Sequence, residues 1–250
     1  YISFTKISDY LMNKDLVIIP TYNESVNSTL IYEKIRITNK DIHILFIDDG
    51  SPDNTAEVIR LIQNKDTNVF LLERGKKRGI GSAHKAGFIW ADKKLYSRVI
   101  TIDADLSHNP DLINGMLELL KTKDIIITGR FLDKKSLEEW SLIRKIITHT
   151  RHYIIKKLFS IPYDTSGAFR CYNFKTIKLQ DLIAAKDDGY SFFWESLIIL
   201  FQLKYKIYEI PMRQPKRIYG SSKIALSDIF RAISYLLYFY IKNLLKKRIN

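Results

Sequence analysis

The chain has 250 residues, of which 46% are hydrophobic, and it carries a formal net charge of +13 at pH 7. This length and composition allow a sizeable core and suit one α/β domain, or a domain with an appendage. The single cysteine, Cys171, excludes a disulfide framework and a multi-cysteine metal site, and is typical of a reducing cytoplasm. The first twenty residues hold several charges and no long apolar run, so we predict no signal peptide.

The first half of the sequence alternates between strand-like and helix-like segments. The predicted strands are 15–20, 42–51, 68–74, 97–105 and 124–131, and the helices between them are 28–37, 54–65, 81–94 and 110–121. The strands are nearly continuous apolar runs, which is typical of strands that are buried on both faces. Their alternation with helices predicts a mostly parallel sheet with helices on both sides.

Polar residues cluster where these strands end. The clusters are residues 20–24, the acids 48–49, Arg74, the acids 103 and 105, and the pair 129–130. In a parallel sheet the ligand lies beyond the carboxyl ends of the strands. One such cluster alone would be an ordinary turn or helix cap, as we interpret Asp53, but five at one edge indicate a binding site.

The sequence Asp103-Ala104-Asp105 directly follows the fourth predicted strand. Where the strand turns, one carboxylate can meet a metal ion while the other meets a sugar or ribose. Carboxylate oxygens suit Mg²⁺ or Mn²⁺, which usually also hold substrate phosphates. We therefore predict a divalent cation that links these acids to a diphosphate.

The net positive charge of the chain comes entirely from its second half. Residues 1–125 contain 17 basic and 17 acidic residues, whereas residues 126–250 contain 23 and 10. A basic half indicates nucleic acid, a phosphate-bearing substrate or an anionic membrane as partner, with solubility alone as the alternative. The segment 217–223, RIYGSSK, is typical of a mobile loop that closes over phosphates, or of a plain surface loop.

Two segments of this half, 140–159 and 228–250, have the pattern of basic amphipathic helices. The uncharged run in the second, from Ala232 to Ile241, is about half of the ~20 residues that span a bilayer. We predict that both segments lie on a membrane surface or against a partner. A core-facing helix with a basic end is the alternative.

Six motifs occur in an order that resembles family-2 glycosyltransferases, and in particular the dolichyl-phosphate (polyprenyl-phosphate) mannose synthases. They are VIIPTYNE (17–24), IDDGSPDNT (47–55), DADLSHNP (103–110), TGRF (128–131), DTSGAFRCY (164–172) and RIYGSSK (217–223). The resemblance covers about residues 15–230. DADLSHNP together with RIYGSSK is specific to the synthases, whereas the first two motifs mark only the superfamily.

The resemblance implies an α/β fold of the GT-A type, with a catalytic domain over 1–227 and a C-terminal amphipathic helix over 228–250. It implies an inverting transfer of mannose from GDP-mannose to a polyprenyl (dolichyl) monophosphate, with Mg²⁺ or Mn²⁺, at the cytoplasmic face of a membrane. It also implies roles for individual residues. Nucleotide-sugar contacts fall on Pro20, Tyr22, Glu24, Ile47, Asp49, Asp103, Ala104 and Asp105; metal ligands on Asp103, Asp105 and Ser107; phosphate contacts on Arg130, Arg217 and Lys223; and acceptor-phosphate contacts on Arg144 and Arg170. Asp105, Arg130, Arg217 and Lys223 are the expected catalytic residues.

The chain departs from the synthases at two places. Residues 77–81 read KRGIG where relatives typically read KLGLG, and KIITHTRHY follows Arg144 where a Ser-x-x-x-Asn-like pattern is usual. A phosphate acceptor is already an anionic nucleophile and needs no strong general base. We accordingly interpret Asp187 and Asp188 as a loop pair and Glu195 as a helix residue, rather than as a base for a hydroxyl acceptor.

Three other functions remain open at this point. The chain could transfer another sugar, such as glucose, to a lipid phosphate or a surface polysaccharide. It could bind nucleic acid, but the acidic strand ends argue against that partner. It could be a silent subunit of a membrane complex, although the acids 103 and 105 and the bases 217 and 223 argue against that. A small membrane-anchoring subunit is a further candidate partner.

Overall fold

The computed structural model of the chain describes residues 14–215 and 226–249, and in the last helix the side chains of residues 231–245. Arg217 and Lys223, which the sequence predicts to bind phosphates, lie outside these residues. The described helices, in chain order, are α1 Ser25–Thr38, α2 Thr55–Gln63, α3 Ile80–Lys93, α4 Leu112–Leu119, α5 Leu142–Phe159, α6 Leu179–Leu182, α7 Phe192–Gln202 and α8 Leu226–Ile249.

Within the described residues, one sheet of seven strands forms the centre of the molecule. The strands are β1 Asp15–Thr21, β2 His43–Asp48, β3 Val69–Glu73, β4 Arg98–Thr101, β5 Ile125–Gly129, β6 Arg170–Asn173 and β7 Ile207–Pro211. Their order across the sheet is β3-β2-β1-β4-β6-β5-β7. The first five are the strands that the sequence predicts, and all but β6 run parallel to one another.

β6 runs antiparallel between β4 and β5, which the sequence pattern does not predict. Ile100 of β4 pairs with Cys171, and Ile126 of β5 pairs with the same residue from the other side. The strand is only four residues long and begins with an arginine, so its local pattern does not distinguish it from a loop. Its insertion puts two strand spacings, about 10 Å, between the ends of β4 and β5.

Hydrophobic residues cover both faces of the sheet, as the continuous apolar strands predict. Leu16 and Ile18 of β1 point into one core with α3 and α7, whereas Val17 and Ile19 point into the other with α1 and α4. Side chains alternate along a strand, so both sets must be apolar when helices cover both faces. The polar ends of the parallel strands are left as the accessible edge of the sheet.

The C-terminal helix α8 packs against this core through aromatic residues. Phe239 is 8% exposed, and its ring centroid lies 5.6 Å from that of Phe159 at the end of α5 and 5.5 Å from that of Trp194 on α7. These contacts bring the two helices that the sequence marks as basic and amphipathic side by side. No helix among the described residues is both long and apolar enough to cross a membrane.

Candidate active site

A cavity of about 500 Å³ opens beyond the carboxyl ends of β1, β2 and β4. Cavities of this size are typical of small-molecule and cofactor sites. Seven of the predicted nucleotide-sugar contacts line it: Pro20, Tyr22, Glu24, Asp49, Asp103, Ala104 and Asp105. Because these residues come from three different strand ends, the parallel sheet is what brings them together.

A tight turn after β4 presents the two acids at 103 and 105. Leu106 has φ 61°, a left-handed conformation that is unfavourable for leucine, so the surrounding contacts must hold the turn. The Ser107 amide donates to the Asp105 carboxylate at 3.1 Å, and the Asp103 amide donates to Nδ1 of His108 at 3.2 Å. The turn leaves the Asp103 side chain 31% exposed and Asp105 only 5% exposed.

The sequence predicts Ser107 as a metal ligand, and the structure shows a different contact for this residue. Ser107 is 4% exposed and does not line the cavity. Its backbone amide holds the Asp105 carboxylate instead. In the described conformation Ser107 therefore orients a predicted metal ligand, and its own contact with a metal ion remains a prediction.

The charges around the cavity suit a cation shared with a substrate. Six acids (Glu24, Asp49, Asp103, Asp105, Asp187 and Asp188) and three bases (Lys77, Arg78 and Arg231) line it. Two of the acids, Asp49 and Asp188, also form ion pairs with Arg74 and Lys85, which leaves one negative charge in excess. A diphosphate would meet net negative charge there unless a divalent cation lay between. Among the described residues no three His, Cys, Asp or Glu side chains are grouped to hold a metal ion. The carboxylates of Asp103 and Asp105 are the kind of oxygen ligands that suit Mg²⁺ or Mn²⁺.

Asp49 and Ile47, two of the predicted nucleotide-sugar contacts, differ in accessibility. Asp49 lines the cavity, and its carboxylate accepts from Nε and Nη2 of Arg74 at 2.6 and 2.7 Å. Ile47 is fully buried beneath the cavity, and its carbonyl oxygen accepts from the Thr21 hydroxyl. Ile47 therefore does not line the cavity in this conformation, because its side chain packs into the core, and its contact with the nucleotide remains a prediction.

The far wall of the cavity is the segment 187–191, which sequence reasoning missed as part of the site. The Asp188 carbonyl oxygen accepts from the amides of Gly81 and Ser82 at 2.8 and 3.2 Å, which fastens the segment to the start of α3. Gly79 has φ 94°, and a Cβ there would overlap that carbonyl oxygen, so the approach requires glycine. Asp187 and Asp188 are loop residues and Glu195 is a helix residue, as predicted.

Arg130 forms a second polar cluster at the end of β5, outside the cavity. Its guanidinium donates to both carboxylate oxygens of Asp164 at 2.7 and 2.8 Å. The Ser166 hydroxyl accepts from Arg130 and from Arg151, so two guanidinium groups meet beside a single carboxylate. Although burial alone would raise it, the ion pair with Arg130 holds the pKa of Asp164 well below its usual range. Sequence reasoning missed Arg151 and Asp164.

Glu209 of β7 lies beneath this cluster and accepts from the Asp164 amide at 2.8 Å. Burial, together with the neighbouring Asp164 charge, raises the pKa of Glu209 to about 7, although the hydrogen bond from the Asp164 amide and the Arg130 charge act in the opposite direction. The carboxyl therefore gains and loses its proton near neutral pH, next to the Arg130 ion pair.

The two predicted acceptor-phosphate residues differ in accessibility. Arg144, near the start of α5, is exposed and stacks on Trp140, with its guanidinium carbon 3.4 Å from the ring centroid. Arg170 is 1% exposed and donates to the carbonyl oxygens of Gly167, Thr165 and Phe193 and to the Ser196 hydroxyl. The Arg170 guanidinium is therefore enclosed and engaged in this conformation, and its contact with the acceptor phosphate remains a prediction.

We expect Asp164→Asn to lower the free energy of unfolding by about 3–5 kcal/mol, because it removes the carboxylate that is paired directly with the buried Arg130. The depressed pKa of Asp164 stabilises the fold above the ordinary aspartate pKa near 3.9, and this contribution is lost as pH falls through the folded value. Urea unfolding at pH 7 measures the loss. Asp133→Asn is the control, since its ion pair with the exposed Arg213 is screened by solvent and should matter far less. Equal losses in both variants would contradict the prediction.

Comparisons with known proteins give a family and two curated relatives. The family model described as "Glycosyl transferase family 2" matches residues 16–179. A polyprenol monophosphomannose synthase of Mycolicibacterium smegmatis is 30% identical over 88% of this chain and 84% of its own length. An undecaprenyl-phosphate mannosyltransferase of Micrococcus luteus is 30% identical over 87% of this chain and 90% of its own length.

Solved structures share the fold. A glucosyl-3-phosphoglycerate synthase of Mycobacterium tuberculosis, crystallised with Mn²⁺, UDP and glucosyl-3-phosphoglycerate, matches 88% of this chain and 76% of its own with a TM-score of 0.60. A crystal structure of the same enzyme with Mg²⁺ and UDP matches with a TM-score of 0.61. The identities are 14% and 15%, so these matches show the fold alone.

Proposed function

The chain belongs to glycosyl transferase family 2 and is a glycosyltransferase with the GT-A fold, and on that premise we propose that it transfers mannose from GDP-mannose to a polyprenyl (dolichyl) monophosphate. The acidic cavity at the strand ends carries the proposal for the reaction, because it suits a metal-bound diphosphate. The choice of mannose and of a polyprenyl phosphate rests on the two relatives whose names specify them.

The donor lies, in this proposal, with its nucleotide near residues 20–24 and Asp49 and its diphosphate along the turn 103–105. Mg²⁺ or Mn²⁺, held by Asp103 and Asp105, would neutralise the charge of the diphosphate when bound. Lys77, whose ammonium lies 4.7 Å from the Tyr22 ring centroid, and Arg78 line the same cavity and add positive charge. Arg217 and Lys223 are proposed to bind phosphates from the segment outside the described residues.

The acceptor phosphate attacks C1 of the mannose as the GDP leaves from the opposite face, so the configuration at C1 inverts. The nucleophile is an oxygen that is already ionised at pH 7, and no side chain has to remove a proton. The exposed Arg144, and Arg130, whose guanidinium is paired with Asp164 in the described conformation, are the cations that we propose to orient the acceptor phosphate near the end of β5. Their charge also offsets the negative charge that two phosphorylated substrates bring together.

We propose that the acceptor is reached at the cytoplasmic face of a membrane, because the tail of a polyprenyl phosphate stays in the bilayer. Exposed apolar residues of α5 and α8 form the contact surface, which we call the apolar face. Its members are Leu142, Ile143, Ile146, Ile147, Tyr153, Ile154, Ile233, Leu237, Tyr238, Ile241, Leu244 and Leu245, each at least 40% exposed. A small membrane-anchoring subunit is a further proposed partner of this face.

Ligand-induced thermal stabilisation tests the donor assignment. We expect GDP-mannose with Mg²⁺ or Mn²⁺, at about 100 times its Kd, to raise Tm by about 5–10 °C, because a ligand that binds only the folded state stabilises it by about 2.7 kcal/mol. Addition of EDTA should remove most of the shift. UDP-glucose is the matched comparison, and an equal or larger shift with it would contradict GDP-mannose as the donor.

A further inference from the structure

Glu195 is a buried carboxylate that the proposed transfer does not use. It lies in the first turn of α7 and is 1% exposed. Its two oxygens accept from the amides of Lys186 and Asp187 at 2.9 and 3.0 Å, and Oε1 also accepts from the Tyr235 hydroxyl of α8 at 2.9 Å. A charge buried to this degree is costly unless hydrogen bonds satisfy it, and here the donors come from two other parts of the chain.

The two amides that donate to Glu195 belong to Lys186 and Asp187, which lie at the start of the cavity wall formed by residues 187–191. Asp187 in turn accepts from the amides of Gly189 and Ser191 at 2.7 and 3.1 Å. The conformation of this wall is therefore set by carboxylates rather than by regular secondary structure. Glu195 stands at the start of this series of hydrogen bonds.

Helix α8 contributes to the same cavity through residues close to Tyr235. Arg231 and Ala232, four and three residues earlier and hence on the same side of the helix, line the cavity. Nη2 of Arg231 lies 4.0 Å from the Asp187 carboxylate. Further along the helix, Phe239 packs between Phe159 and Trp194. Tyr235 lies between Phe239 and the cavity-lining residues, and its hydroxyl joins α8 to Glu195 by a hydrogen bond.

We propose that Tyr235, by donating to Glu195, is a positioning residue that holds the start of α8 and the 187–191 wall in the conformation that binds the nucleotide sugar. The proposal rests on the function proposed above and adds the C-terminal helix to the donor site. Burial and the adjacent Glu195 charge raise the pKa of Tyr235, so the hydroxyl remains a donor at physiological pH.

Tyr235→Phe tests this proposal, because it removes only the hydroxyl and keeps the ring that packs near Trp194. We expect the Kd for GDP and the KM for GDP-mannose, both with Mg²⁺, to rise about tenfold, while kcat at saturating donor stays within twofold. Exchange of the Lys186 and Asp187 amides with solvent should also accelerate. Isothermal titration calorimetry, steady-state kinetics and hydrogen exchange measure these quantities.

Tyr240→Phe is the matched control, since Tyr240 lies on the same helix and packs on Phe159 away from Glu195. It should leave the Kd within twofold of the wild-type value. The proposal is overturned if the Kd of Tyr235→Phe for GDP also stays within twofold of the wild-type value. It is likewise overturned if both variants bind GDP equally weakly, whatever the exchange data show. Should Tyr235→Phe not fold, Arg231→Ala decides, because that side chain is 76% exposed and outside the core. Its Kd is expected to rise about threefold, and an unchanged value overturns the proposal.

Failure of the donor assignment would be seen separately from failure of this inference. If the wild-type chain binds UDP in preference to GDP, the proposed donor is wrong, and the same comparison of variants is made with UDP. If the wild-type chain binds neither nucleotide, both the proposed function and the role of Tyr235 are overturned.

Discussion

Asp105→Ala is expected to lower the rate of sugar transfer at least about 100-fold and to abolish the metal dependence of donor binding. Asp105 lines the cavity at the turn after β4, and we propose it as a ligand of the cation that neutralises the donor diphosphate. A 100-fold loss corresponds to about 2.7 kcal/mol of transition-state stabilisation, a typical value for removing one electrostatic contact. Donor titrations with Mg²⁺ and with EDTA, together with initial rates, measure both effects.

The fold should survive this substitution. The Asp105 carboxylate accepts a hydrogen bond from the Ser107 amide, which is worth about 1 kcal/mol, and it lies at a turn beyond the strand rather than in the hydrophobic core. Removal of the carboxylate also relieves repulsion within a cavity that holds six acids. Asp111→Ala is the control, because that acid is exposed, lies in the same segment and does not line the cavity. If Asp105→Ala keeps more than about a tenth of the wild-type rate, the metal role is wrong.

The strand ends of the site could be predicted from the sequence because local pattern defines them. An apolar run that stops at Pro20, Asp48 or Asp103 gives both a buried strand and the polar residues that follow it. Parallel pairing then brings those ends to one edge without any further information. This is why seven predicted nucleotide-sugar contacts line one cavity.

Other parts of the site depend on contacts between distant segments, which local pattern does not reveal. Two sets of hydrogen bonds hold the 187–191 wall in place. Amides at the start of α3 donate to the Asp188 carbonyl oxygen, and amides at the start of the wall donate to the Glu195 carboxylate. Neither contact has a sequence signature. Arg170 illustrates the limit of a family resemblance. The resemblance of the motif DTSGAFRCY implied a phosphate contact, but it did not reveal that antiparallel pairing of β6 in the centre of the sheet encloses the residue.

A paired substitution on α8, Leu237→Glu with Ile241→Glu, is expected to weaken binding to anionic vesicles at least about 100-fold. Both side chains belong to the apolar face and are 54% and 56% exposed, so neither supports the core. Each apolar side chain that enters the bilayer interface contributes about 1.5–3 kcal/mol, and the new carboxylates repel anionic lipid. Co-sedimentation with vesicles of phosphatidylglycerol and phosphatidylcholine measures the binding.

Salt should separate the two contributions to this binding. A basic residue near an anionic surface adds about 1 kcal/mol, and 0.1 M salt screens such attraction beyond about 10 Å. Arg144, Lys156 and Lys157 of α5 are exposed and lie among the apolar residues. Wild-type binding should therefore weaken but persist as salt rises, because its apolar part is insensitive to salt, whereas binding of the double variant should vanish.

Activity on acceptors of two lengths shows whether the apolar face serves catalysis. The double variant should lose most of its activity on a long-chain polyprenyl phosphate in vesicles while keeping its Kd for GDP, since neither residue lines the cavity. On a short, water-soluble prenyl phosphate it should match the wild-type chain, because that acceptor does not require membrane docking. Leu61→Glu on α2 is the control, as Leu61 is 54% exposed, like Leu237, but far from α5 and α8 in the sequence. Full activity of the double variant on the long acceptor, or no binding of the wild-type chain to vesicles at low salt, would mean that this face meets a protein partner instead of a bilayer.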